Sequence, residues 1–213
     1  MFHIDFICAC LLLIIVLIFN AYYRIHQVDK LGDKKGSANI YDLGFEIIPE
    51  ISFKDPYREG LFKLFRDFVA GTPLLYALLV LDWSKRTYLI SDIAILFMIR
   101  MIANNLTILP SIRACVNTLN KWSFGGCCDL MFSGHTMTCL IGSLYIIYYI
   151  NNSYVTTILF WNLFNQYLII ASRKHYSDDV YLAWFVTLCI FFIRTNDPRK
   201  VLKILFSSFE NLF

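Results

Sequence analysis

Apolar residues in this chain come in long blocks rather than in the alternation of a strand or the narrow stripe of a soluble amphipathic helix. From Phe6 to Tyr23 eighteen successive residues carry no charge, and a helix needs about 20 mostly apolar residues to cross a bilayer. The block lacks the basic n-region and small-residue cleavage site of a signal peptide, so it predicts a retained first span over 6–23. Later blocks predict spans over 64–81, 88–109, 131–150, 154–172 and 178–195. Gly71 and Pro73 inside the second are tolerable where neighbouring helices complete the crossing. The polar break Asn151-Asn152-Ser153 separates the fourth from the fifth. The expected fold is therefore all-α: a polytopic membrane protein with six transmembrane helices in one bundle, a single membrane domain over 1–213.

Between the first two spans, 24–63 reads as a polar loop holding Gly32, Gly36 and Gly44 and most of the mixed charge. Ser177 is a plausible N-cap for the sixth span, with Asp178 and Asp179 at the positive end of the helix dipole. The tail over 196–213 is basic and then amphipathic, which suits the membrane surface.

Composition strengthens this picture: 58% of residues are hydrophobic and only 16% charged. The net charge of +3 is not gathered into a run, and neither a phosphate-binding glycine loop nor a double CxxC pattern occurs, which leaves nucleic-acid and nucleotide binding without support. Of seven cysteines, Cys8, Cys10, Cys139 and Cys189 fall in apolar runs where a thiol acts as a small hydrophobe. Cys115, Cys127 and Cys128 share one loop, so a disulfide there depends on that loop facing an oxidising lumen. No set of metal ligands is visible, and no cofactor is implied.

With six spans, the loops after spans one, three and five share one side of the membrane, and they hold nearly all the unusual polar residues. One ends in SGHT, Ser133 to Thr136, where His135 opens the fourth span; another is SRKHYSDDV, Ser172 to Val180. His175 and Asp179 are four residues apart, so one helical turn brings the carboxylate to the imidazole and leaves the other ring nitrogen as nucleophile or base. Arg100 lies in the third span about 80° around the helix from Asp92. A charge at mid-bilayer costs about 2.5–3.5 kcal/mol on insertion scales, so Arg100 is expected to face a polar interior or a phosphate. Two histidines, a carboxylate and an arginine are what metal-free phosphoryl-ester chemistry requires: a nucleophile, an acid for the leaving oxygen and a cation for the non-bridging oxygens.

At these residues CCDLMFSGHT, Cys127 to Thr136, followed by HYSDDV, His175 to Val180, resembles the sphingomyelin synthase family. Its hallmarks read C-G-D-x-x-x-S-G-H-T and H-Y-[ST]-x-D-V; Cys128 stands where that family has glycine. RMIANNLTILP, Arg100 to Pro110, and YDLGFEIIP, Tyr41 to Pro49, agree more weakly, so the resemblance runs over about 40–185. It implies a catalytic triad of His135, His175 and Asp179, in a geometry like that of the lipid phosphate phosphatases. It implies transfer of phosphocholine, phosphoethanolamine or phosphoinositol from a glycerophospholipid to ceramide, with diacylglycerol released and a phosphohistidine intermediate at His175. Arg100 and Arg173 are candidates to grip the phosphate, and Asp129 and Ser133 complete the expected substrate-binding set.

Two rivals use the same histidines. A lipid phosphate phosphatase would hand the group to water, but its K-x6-R-P element is absent, since no Arg-Pro dipeptide occurs. A phosphatidylcholine:diacylglycerol cholinephosphotransferase would differ only in its lipid alcohol. A non-enzymatic membrane protein leaves both histidine motifs as coincidence. The expected partners are ceramide and a glycerophospholipid in the bilayer, with a homo-oligomer left open. Counting Lys and Arg puts the site loops in the cytosol, whereas the resemblance implies a lumenal or outer-leaflet site in a Golgi, endoplasmic reticulum or plasma membrane protein. A metal-free mechanism predicts that EDTA leaves transfer unchanged; loss with EDTA and recovery with a divalent ion would overturn it.

Overall fold

The computed structural model describes residues 2–23, 41–107, 109, 112 and 130–203. Among them the regular structure is entirely helical: α1 Phe2–Tyr23, α2 Leu43–Ile47, α3 Pro56–Val80, α4 Trp83–Leu106, α5 Gly134–Tyr145, α6 Val155–Ala171 and α7 Ser177–Thr195. α5 runs on as a π-helix over Ile146–Ile150, and a short 3-10 turn, Asn152–Tyr154, leads into α6.

The helix starts follow local chemistry. The Asp55 carboxylate accepts the Tyr57 N–H at 3.1 Å ahead of Pro56, whose fixed φ and missing donor suit a first helical turn. Asp82 caps α4 through the Lys85 N–H at 2.9 Å. Pro73 lies inside α3 and cannot donate to the carbonyl four residues earlier. That carbonyl, on Val69, instead accepts the indole N–H of Trp161 at 2.9 Å, so α6 supplies the hydrogen bond that α3 lacks.

α3 and α5 cross at Gly142, where an added Cβ would run into the Leu74 amide nitrogen. Around this crossing Ala77, Leu89, Ile93, Leu96, Met137, Leu140, Ile141, Tyr145, Ala183 and Phe191 form the main apolar core. The same interior holds Arg66, Asp92, Arg100, Asn104, Asn162, Asn165 and Gln166, while Ile7, Leu11, Ile15, Leu64, Phe68, Leu79, Phe160, Phe185 and Ile193 face outward. Apolar outside with polar groups paired inside is the distribution a lipid solvent favours. Asp92 illustrates the pairing: at 1% exposure it accepts from the Tyr145 hydroxyl at 2.7 Å and from Arg194 Nε and Nη2 at 2.9 and 2.6 Å.

A helix occurs at each of the six expected places, with three differences. Two helices, Ile4–Tyr22 and Trp83–Leu106, are long and apolar enough to cross a membrane by length and composition, and Val155–Ala171 is a shorter apolar helix. The others are shorter or carry ionised ends, as α3 does with Arg58, Glu59, Lys63, Arg66 and Asp67. The stretch read as a loop over 24–63 is helical at Leu43–Ile47 and from Pro56 onward, because Asp42 and Asp55 cap it. Ser177 is the first residue of α7 rather than its cap, which is Tyr176. In the tail, 198–203 is helical. Cys115, Cys127 and Cys128 lie outside the described residues.

Gly142→Ala places a methyl against backbone that cannot rotate away, an overpacking that costs about 1–3 kcal/mol. It is expected to lower the melting temperature of the detergent-solubilised protein, and an unchanged melting temperature would contradict the close approach of α3 and α5.

Candidate functional site

The chain reverses direction between α6 and α7. Arg173 adopts a left-handed φ of 52°, unusual for a residue with a side chain. Its amide donates to the Ile170 carbonyl and that of Lys174 to Ile169, so the turn folds back on the end of α6. His175 then precedes α7, and Asp179 stands in that helix's first turn. One oxygen of Asp179, Oδ2, accepts the Tyr176 N–H at 3.0 Å and faces His175 Nδ1 at 3.3 Å. The expected pairing of His175 with Asp179 is therefore made across a helix start rather than along a helix. A carboxylate acceptor holds the proton on Nδ1 and leaves Nε2 with its lone pair. Nε2 is buried and has no hydrogen-bond partner among the described residues. Burial first, then the positive charge of Lys174 nearby, hold the His175 pKa well below the usual histidine value. The ring is thus neutral at pH 7, the state a nucleophile needs.

The turn is strapped by α2. The Asp42 carboxylate accepts from both the backbone N–H and the hydroxyl of Ser177, while the Gly44 N–H donates to Ser177 Oγ at 3.2 Å. A Cβ at Gly44 would sit 2.7 Å from that oxygen, so a larger residue would displace the Ser177 side chain from these bonds. Phe45 stacks on Tyr176 with ring centroids 5.6 Å apart.

His135 reaches the site from α5. Ser133 caps this helix, its Oγ accepting the Thr136 N–H at 3.3 Å, and its own N–H donates to the Asp179 carbonyl at 3.3 Å. α4 holds the approach to α5 in place: Asn104 Oδ1 accepts the Met131 N–H at 3.1 Å, and Arg100 Nε donates to the Phe132 carbonyl at 2.8 Å. The Arg100 guanidinium carbon lies 3.4 Å from where a Cβ on Gly134 would be, so glycine leaves that cation at the start of α5. His135 Nε2 meets Asp67 Oδ1 on α3 at 2.9 Å, and the same oxygen accepts from Arg66 Nε and Nη2 at 3.0 and 2.8 Å. Arg66 is buried and also donates to Ser172 Oγ at 3.3 Å. The two imidazoles face each other with centroids 6.5 Å apart at 62°.

Of the residues singled out in the sequence, His135, His175, Asp179 and Arg100 come together. Ser133 is fully buried in its capping role, where it ties the two motifs through the Asp179 carbonyl. Arg173 points its guanidinium at α2, donating to the Phe45 and Ile48 carbonyls at 3.1 Å each and stacking 4.2 Å above the Phe45 ring. Asp129 lies outside the described residues. Asp67, Arg66 and Asp42 were not singled out. For the first two the signal is an Arg-Asp pair inside an apolar run, but only the packing of α3 on α5 reveals their partner.

Residues 126–196 match the family model described as PAP2 superfamily C-terminal. This PAP2 region takes in His135, His175 and Asp179 and leaves Asp42, Arg66, Asp67 and Arg100 outside it. The chain is 30% identical over 102 residues to a Phosphatidylinositol:ceramide inositolphosphotransferase of Trypanosoma cruzi, covering 45% of this chain and 30% of the relative. It is 37% identical over 68 residues to the Sphingomyelin synthase-related protein 1 of Homo sapiens, covering 30% and 16% respectively. It is 35% identical over 68 residues to a Phosphatidylethanolamine:ceramide ethanolaminephosphotransferase of Trypanosoma brucei brucei, covering 30% and 21%. Each alignment spans less than a third of the relative's own length. The resemblance read from the two histidine motifs is borne out by these matches.

The two histidine–carboxylate pairs are separable by spectroscopy. In protein labelled with 15N-histidine, Asp67→Asn is expected to move the Nε2 resonance of His135 and leave that of His175 in place. No change at His135 would break the assignment of the pair.

Proposed function

We propose that this chain is a membrane phosphotransferase that moves a phospho-headgroup from a glycerophospholipid to ceramide. The observation that carries the reading is the facing pair of imidazoles, 6.5 Å apart, each paired with its own carboxylate. The PAP2 match and the printed names of the relatives, which act on ceramide, support it.

In the proposed cycle His175 Nε2 attacks the phosphorus of the donor. The bond from phosphorus to the diacylglycerol oxygen breaks, and that oxygen takes a proton from His135. The ceramide primary hydroxyl then attacks the phosphohistidine, its proton passes to His135, and the phosphorus–nitrogen bond at His175 breaks. Arg100, buried beside Gly134, stabilises charge on the non-bridging oxygens. Arg66 fixes Asp67, which orients His135. Asp129 and Ser133 enter this proposal as a headgroup contact and as the cap that sets the position of His135, and Arg173 as a brace on α2.

Six helices crossing one bilayer would put this site at one membrane face. His175 and Asp179 start α7 and Arg194 ends it, about 22 Å away at 1.5 Å per residue. Lys85, Arg86, Arg194 and Lys200 gather at that far end with Tyr88, Tyr148 and Tyr149, an aromatic and basic belt of the kind found at a cytosolic interface. The site would then face the lumen or the outer leaflet, with the reacting phosphate at headgroup depth.

Purified protein given fluorescent ceramide and, separately, phosphatidylcholine, phosphatidylethanolamine or phosphatidylinositol is expected to form one donor-dependent sphingophospholipid. Free phospho-headgroup with untouched ceramide would mean a hydrolase. His175→Ala is expected to abolish transfer at normal expression, and full turnover would remove it as nucleophile.

The pH dependence has a defined sign. Protonation occupies the lone pair that attacks phosphorus, so diacylglycerol release falls as pH drops through the His175 pKa. Because burial lowers that pKa, release is expected to hold through the ordinary histidine range near 6.5 and fall only below it. An acidic limb centred above 6.5 would contradict the burial of this ring.

A further inference from the structure

The deepest anomaly in the interior is a group of carboxamides on α6. Asn165 is fully buried, and neither its Nδ2 nor its Oδ1 has a hydrogen-bond partner among the described residues. Exchanging its nitrogen and oxygen changes nothing, since both are unmatched. Beside it the Gln166 carboxamide is docked to the histidine motif: one end of it hydrogen-bonds Thr136 Oγ1, one residue after His135, at 2.9 Å, a hydroxyl that also bonds Ser133 Oγ at 2.8 Å. The other end of the Gln166 carboxamide is buried without a partner among the described residues. Asn162, one turn further along, donates to Ser143 Oγ at 2.8 Å and keeps an Oδ1 unmatched among the described residues. Asn165 lies seven residues before Ser172, on the face of α6 that reaches Arg66, so this polar column starts at the histidines and runs inward.

A buried polar group left unmatched costs about 1–3 kcal/mol, and a lipid-facing bundle has no bulk water to relieve it. These three side chains stand on one face of α6, the face that meets Thr136 and Ser143. The demand at its centre is specific: a hydrogen-bond donor for Asn165 Oδ1, an acceptor for Asn165 Nδ2, and one further partner for the free end of Gln166.

We propose that Asn165 and Gln166 form the polar subsite for the acceptor lipid and select one that carries an amide and a free secondary hydroxyl beside its reacting alcohol. This inference rests on the transferase reading above and adds to it the residues that tell its acceptor, ceramide, from diacylglycerol. The sphingoid end of ceramide offers an amide N–H to Asn165 Oδ1, an amide carbonyl to Asn165 Nδ2, and a hydroxyl that both donates and accepts to the free end of Gln166. Diacylglycerol offers ester oxygens, which only accept, and its single hydroxyl is the one that reacts. It would leave Asn165 Oδ1 unmatched, and a site built to bond a donor discriminates strongly against an analogue without one.

The test compares ceramide with N-methylceramide, which lacks the amide N–H, as acceptors for the purified protein with its preferred donor. Wild-type protein is expected to favour ceramide by about 10- to 100-fold in kcat/KM, the span that one buried unmatched group allows. Asn165→Leu is expected to bring that ratio close to one, because leucine makes no demand for a donor. Equal use of both acceptors by wild-type protein, or an undiminished ratio in Asn165→Leu, overturns the proposal and means that these carboxamides hold internal water or serve packing alone. Equal use of both acceptors by wild-type protein overturns the proposal even if Asn165→Leu does not fold. Donor-dependent conversion of ceramide to a sphingophospholipid by wild-type protein tests the transferase reading separately. Conversion with no acceptor preference sinks only the subsite; no conversion from any phospholipid sinks both.

Discussion

Asp179 is the residue through which the two halves of the site are joined. Its carboxylate fixes the His175 ring and takes the Tyr176 N–H at the start of α7, while its carbonyl accepts the Ser133 N–H that begins α5. One residue thereby sets the tautomer of one histidine and the position of the helix that carries the other. Both functions rely on its burial, at 1% exposure, since water would compete for every one of those bonds.

A second constraint surrounds the first. Polar groups occupy the interior of this bundle and each demands a partner there. Asp92 is satisfied by Tyr145 and Arg194, Val69 O by Trp161, and Arg66 by Asp67 and Ser172. These bonds join α3, α4, α5, α6 and α7 at particular depths, whereas apolar contacts, being non-directional, offer little preference for one register over another. Against that background the Asn165 carboxamide, one end of that of Gln166 and Nε2 of His175 are buried without a hydrogen-bond partner among the described residues.

Two of the expected substrate contacts illustrate how motif residues divide their labour. Ser133 and Arg173 sit inside the histidine motifs, yet the polar atoms of both are taken within the fold: Ser133 Oγ by the backbone N–H and hydroxyl of Thr136, Arg173 by the carbonyls of Phe45, Ile48 and Ile170. A sharp turn between two helices leaves several amides and carbonyls without helical partners, and nearby side chains must meet that demand. Asp42 and Gly44 meet the rest from a segment more than 130 residues away in the chain, as the 3.2 Å bond from Gly44 to Ser177 records.

The helical class, the six apolar blocks and the pairing of His175 with Asp179 were legible because they depend on short-range periodicity and spacing, which the amino-acid order carries directly. So was the burial of Arg100, because a lone charge in an apolar run has few tolerable places. The starts of α2 and α3 were missed, since the caps Asp42 and Asp55 stand among loop-like residues whose mixed charge masked them. Asp67 was visible as a charge but not as the partner of His135. That pairing exists because Gly142 lets α3 approach α5 until their backbones nearly touch, a contact between residues about 70 positions apart. The sequence alone determined which chemistry is available, two imidazoles and their nearest carboxylate. Only the tertiary structure decided which polar atoms meet, because hydrogen bonds in a dry interior are set by helix crossings and depth rather than by distance along the chain.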